Sequence, residues 1–87
     1  MNHLHETVRR LVSLAGSYRP GAIIEAEQVV DTYLASFHGY RARRAAMDLL
    51  RDQLACPNCR SHNRGGLFEQ VEFHLQRTLQ EMVRLFQ

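Results

Sequence analysis

The residues of this chain best suited to chemistry lie close together: Cys56-Pro57-Asn58-Cys59, followed by His62. Two thiolates and an imidazole in one short stretch can converge on a tetrahedral ion, and zinc is the metal that such soft and borderline ligands suit. A fourth ligand is missing from the stretch itself. The nearest candidate is His74, which gives the pattern C-x2-C-x2-H-x11-H. That spacing differs from the zinc-finger arrangement, in which the second pair of ligands is itself closely spaced. His38 is excluded by geometry, because the helix expected between it and Cys56 would hold the two about 25 Å apart. His3 and His5 fall at the same end as His38.

Two other readings of the cysteines stay open, reduced thiols and a reversible disulfide pair, since a reducing compartment disfavours a structural disulfide. A thioredoxin-type pair opens a helix after a strand, where the dipole lowers the thiol pKa. Here the pair follows a helix C-terminus, which would raise it. Haem attachment needs a histidine directly after the second cysteine, and Arg60 stands there. His74, beside Val71 and Leu75, also reads as a residue bordering the core.

The second concentration is basic. Every one of the eleven cations is an arginine, and His38-Gly39-Tyr40-Arg41-Ala42-Arg43-Arg44 places three of them at the start of a helix. A helix N-terminus is already partly positive, so this cluster calls for an anionic partner or ample solvent. Guanidinium forks bind phosphate and carboxylate bidentately. A helix-turn-helix template beginning at Asp31 fits in part, with Leu34 inward, Ala35 at the tight crossing, Gly39 in the turn and Ala45 inward. Arg41, Arg43 and Arg44 would then front a recognition helix in a DNA-binding regulator. His38 and Asp48 argue against that template, because apolar residues normally occupy their places. So does a net charge of only +2, since nucleic-acid domains are usually much more basic. The alternative for the cluster is a solvated face with pairs such as Arg44 to Asp48. Arg60 and Arg64 add a second basic group near the cysteines.

The elements that must position these residues are helical. Four segments carry apolar residues at three- and four-residue spacing, and none alternates as a strand does. The first runs from about His3 to Ala15, with Leu4, Val8, Leu11, Val12 and Ala15 inward, Asn2 as cap and Gly16 as stop. Pro20-Gly21 marks a turn. The second runs from about Ala22 to His38, with Ile23, Ala26, Val30, Leu34 and Phe37 inward and Gly39 as its stop. The third, about Tyr40 to Ala55, buries Ala42, Ala46, Leu49, Leu50 and Leu54. A loop then spans Cys56 to Gly66. The last helix, about Leu67 to Phe86, has the stripe Phe68, Val71, Leu75, Leu79, Met82 and Phe86, with Leu67, Phe73, Val83 and Leu85 off it.

With 87 residues, 45% hydrophobic and 23% charged, the chain is too short for several cores and too apolar to be disordered. The expected fold is all-α, a single helical domain over residues 1–87. It would be a small four-helix bundle or helical hairpin pair with the Cys/His loop between helices 3 and 4. In an up-down arrangement Arg41, Arg43 and Arg44 lie at one end and Arg60 and Arg64 at the other, so both ends are basic. The surplus apolar residues of the last helix need cover, which a second copy would supply in a homodimer, or which a central position in the monomer would supply instead. Residues 1–6 lack the basic and apolar regions of a secretory signal. No apolar run approaches the roughly 20 residues of a membrane span. A cytoplasmic protein without a membrane role is therefore expected. No nucleophile–base spacing and no glycine-rich phosphate loop occurs, which argues against an enzyme. The leading expectation is a regulatory or inhibitor protein that binds a partner protein through Arg41, Arg43, Arg44, Arg60, Arg64, Phe73 and Leu85. A zinc-tied loop would rest on Cys56, Cys59, His62 and His74.

Overall fold

Each of the four periodic segments forms a helix in the computed structural model, which describes residues 3–17, 19–61, 63 and 66–85. These are α1 (His3–Ala15), α2 (Ala22–Ala35), α3 (Tyr40–Leu54) and α5 (Leu67–Leu85), with a single turn, α4 (Pro57–Arg60), in the connection before the last. No strand occurs among the described residues. The fold is the expected all-α bundle, and none of the helices described is long and apolar enough to cross a membrane. The expected cap Asn2 and the residues Tyr18, His62, Arg64 and Phe86 lie outside the described residues.

Residues from all four long helices meet in a common core. Leu11 of α1, Ala26 and Val30 of α2, Leu50 of α3 and Phe68, Val71 and Leu75 of α5 are sealed from solvent. α5 touches α1, α2 and α3, so most of its broad apolar surface is covered within one chain. Leu67, expected off the stripe, is buried. α1 packs along α2 in the opposite sense, whereas α2 and α5 run the same way. Glu27 and Asp31 meet His74, and Leu34 and Ala35 line a cleft with Thr78 and Met82 further on.

The burial pattern corrects several expectations. Leu49 is exposed and Met47 takes its place in the core. α3 packs against α1 and α5, which turns the Met47-Leu50-Leu54 line inward and Leu49 outward. On α2 the buried arc runs through Ala22, Ala26, Val29, Val30, Tyr33 and Leu34, because that helix lies between α1 and α5. Ile23, expected inward, is left at the edge and exposed. Leu14 is buried on α1, while Leu4, Val8 and Val12 are only partly covered.

The turns differ as well. α2 stops at Ala35, short of His38, where the Ser36 hydroxyl donates to the Tyr33 carbonyl at 2.7 Å and the Phe37 N–H turns back to Leu34. Gly39 does not end α2. At φ 90°, ψ 158° it begins α3, and its carbonyl accepts the Arg43 N–H at 3.1 Å. That backbone region is essentially restricted to glycine. Tyr33 ties the two helices together, its buried hydroxyl donating to the Ala46 carbonyl at 3.1 Å. Burial raises that phenol above its ordinary pKa.

Candidate functional site

Where an unbroken loop was expected after α3, Pro57 occupies the first position of a helical turn, for which its fixed φ is preorganised. Cys56 caps this turn with φ −58° and ψ 133°. The Arg60 N–H closes it onto the Cys56 carbonyl at 2.9 Å, and the Ser61 N–H onto Pro57 at 3.0 Å. Both thiols are free and half-buried, and Cys59 packs against the core. Burial pushes the Cys59 thiol up, and the adjacent Cys56 thiol adds in the same sense. The upward direction agrees with the sequence reading, but the cause is desolvation rather than the end of α3.

Of the four expected metal ligands, the structure brings together Cys56 and Cys59. His62 is outside the described residues, and His74 is directed to another helix. No group of three His, Cys, Asp or Glu side chains able to hold a metal occurs among the described residues. His74 is taken up on α2: its Nε2 lies 2.8 Å from Asp31 Oδ1, and its Nδ1 lies 3.1 Å from Arg77 Nη2. Arginine can only donate, so Nδ1 accepts and Nε2–H is the donor to Asp31. Glu27 completes the group, 3.8 Å from both His74 and Arg77.

After the cysteine turn, Asn63 organises the entry to α5. Its side-chain oxygen accepts the Phe68 N–H at 3.0 Å. Its amide reaches the Glu69 carboxylate at 2.9 and 3.0 Å. Arg60 donates to the same carboxylate at 2.9 Å. The Asn63 amide foremost, with the Glu69 backbone and Arg60 behind it, holds that carboxyl below its ordinary range. Arg60, expected to face a partner, makes this bond from an exposed position.

The arginines of the α2–α3 turn are likewise employed. Arg43 Nε donates to the Phe37 carbonyl at 3.0 Å. Arg44 lies 3.8 Å from Asp48, the pairing read from the sequence. Arg41 is exposed. Leu34 points inward, as the helix-turn-helix template requires, but Ala35 and Ala45 are exposed where it needs them buried. The reason is that α3 packs chiefly on α1 and α5 and, of the long helices, least on α2.

Large apolar side chains remain exposed on α2 and α5. Phe73 is 61% exposed and Ile24 63% exposed. The Arg77 guanidinium sits over the Phe73 ring, 5.8 Å from its centroid, and also reaches toward Glu27. Ile24 lies one turn before Glu27 on the same face of α2. Leu85, at 81% exposure, ends the same helix as Phe73. Phe73 and Leu85 were legible in the sequence as off-stripe residues. Glu27 and Arg77 were not, because only the parallel packing of α2 on α5 brings them together.

The concavities are shallow. The α1–α2 cleft, about 230 Å³, is open and mixed in charge, with His3, Glu6, Thr7, Arg10 and Tyr33 on its walls. Ligand pockets usually run from about 300 to 1,000 Å³ and are mostly apolar. No known protein family, curated protein or solved structure matches this chain.

Proposed function

We propose that this chain is a small, non-enzymatic regulatory or inhibitor protein that acts by docking another protein on the surface around Phe73. The observation that carries this reading is an aromatic ring left in solvent on a helix whose core stripe is already covered by three neighbours. The Arg77 guanidinium lies over the ring and reaches toward Glu27, so charged groups stand beside it, and Ile24 is exposed on α2 one turn before Glu27. Apolar groups with a polar rim are the usual make-up of a protein interface, and aromatic residues and arginine dominate its energetics. A second copy of the chain is one partner such a surface fits. The DNA-binding alternative has less support, because Arg43 bonds back to the Phe37 carbonyl in the turn, Arg44 pairs with Asp48 on its own helix, and Ala35 and Ala45 are exposed where the template buries them.

The experiment compares wild type with Phe73→Glu and Leu85→Glu by capture from the native cell and by mass in solution. Loss of a captured protein, or of a dimer, in the variants supports the reading. Unchanged capture and unchanged mass would overturn it. So would retention on duplex DNA that falls steeply with salt and is abolished by replacing Arg43 and Arg44 with alanine, since phosphate contacts give that salt dependence.

A further inference from the structure

The cysteine turn shares no residue with the surface around Phe73, so an inference drawn from it stands or falls independently. Cys56 caps a helical turn and Cys59 lies one turn on, with the Arg60 N–H to Cys56 carbonyl bond of 2.9 Å fixing the loop between them. Residues three apart in such a turn have Cα atoms about 5–6 Å apart, within the window in which a disulfide forms without moving the backbone. The two thiols are free and half-buried, and they interact with each other. Cys59 is seated against the core, which holds its sulfur in place. Among the described residues no third metal-ligating side chain joins them.

We propose that Cys56 and Cys59 are a reversible dithiol that a small-molecule disulfide oxidises to an intrachain bond. One cysteine, as thiolate, attacks a sulfur of the small disulfide. The S–S bond of the reagent breaks, one small thiol leaves, and a mixed disulfide remains on the protein. The second cysteine loses its proton to solvent and attacks the protein sulfur of that mixed disulfide, expelling the second small thiol. Two protein thiols have then lost two electrons and two protons, and one small disulfide has become two thiols. The product clips the turn that presents Arg60 to Glu69, so the connection between α3 and α5 is stiffer when oxidised.

The test uses the full chain, both as purified and after reduction and removal of metal with a chelator. Each sample is equilibrated with mixtures of oxidised and reduced glutathione. Remaining thiols are alkylated and counted by intact mass. The expected result is that both thiols disappear together, the mass falls by two hydrogens, and the chain stays free of chain-to-chain disulfides. Reduced glutathione should restore both thiols. Cys56→Ser and Cys59→Ser should each stop at a glutathione mixed disulfide. Accumulation of mixed or chain-to-chain disulfides in the wild type overturns the proposal. It is also overturned if the chain as purified carries zinc and resists oxidation until the chelator removes it, which would make the pair a metal site.

Discussion

Replacing Phe73 by glutamate separates a surface residue from a core one. Phe73 is 61% exposed, so about two-fifths of a side chain whose full burial covers about 150–250 Å² is sheltered. At about 25 cal/mol per Å² that shelter is worth roughly 2 kcal/mol at most. The contact with Arg77 adds about 0.5–1 kcal/mol at an exposed site. The glutamate stem retains part of the covered area. A glutamate four residues before Arg77 also forms a favourable i,i+4 pair worth about 0.3–0.5 kcal/mol. The net loss of stability should be about 1 kcal/mol, or about 4–8 °C in Tm for a domain of this size. Leu50→Ala is the contrast, since that fully buried side chain should cost about 3–5 kcal/mol. If Phe73 anchors an interface, its loss should cost 2 kcal/mol or more of binding, about a 30-fold weaker Kd. Thermal melting, urea titration and solution mass, with pull-down of the captured partner, read both quantities. A Phe73→Glu variant that melts like Leu50→Ala, or one that binds and associates as wild type does, would refute the reasoning.

Tyr33→Phe removes the buried hydroxyl that bonds Ala46 across α2 and α3 and should cost about 1 kcal/mol in urea denaturation; no change would mean the helices dock without it. Gly39→Ala meets no atom within 4 Å of the added carbon, so its cost is conformational, about 1–3 kcal/mol for an alanine forced to φ 90°; a neutral result would show that the turn relaxes. The Glu69 carboxyl is lowered in the folded state by Asn63 first and by Arg60 after it. Its contribution is therefore fully present above the unfolded carboxylate range and lost as pH falls through the lower folded value. Glu69→Gln should flatten that part of the acid limb in melts recorded from neutral to strongly acid pH, and an unchanged limb would exclude the Asn63–Arg60 clasp as its source.

The helices were legible because each carries three- and four-residue apolar spacing that no strand pattern matches. Which edge of each apolar arc turns inward was not. Met47 and Leu49 are both acceptable core residues, and only the packing of α3 on α1 and α5 selects Met47. The helical turn after Cys56 was obscured by Pro57, Asn58 and two nearby glycines, all common in loops, although Pro57 at a first helical position is itself a helix signal. His74 illustrates the limit most clearly. Counting residues along the chain makes it the nearest ligand to His62, yet the carboxylate it meets, Asp31, lies 43 positions away. Glu27 and Asp31 are one turn apart on α2, and His74 and Arg77 are one turn apart on α5. That the pairs face each other follows only from α2 and α5 running side by side.

The lysine-free composition acquires a local meaning in the connections between helices. Before α2, Arg19 pairs with Glu25 at 2.6 Å. Between α2 and α3, Arg43 caps the Phe37 carbonyl. Before α5, Arg60 meets Glu69. Each of these arginines reaches from a turn, or from the first turn of a helix, to an acceptor on the neighbouring segment. A guanidinium suits that use because its planar fork keeps donors available after one bond is made, whereas an ammonium on a flexible stem must be ordered for each contact. The ion pairs are exposed, so each is worth about 1 kcal/mol or less, and none needs an external anion to explain it. The same bonds reduce the number of cations free to meet a phosphate backbone. On α5, by contrast, Arg77 lies over the Phe73 ring, 5.8 Å from its centroid, while reaching toward Glu27 of α2.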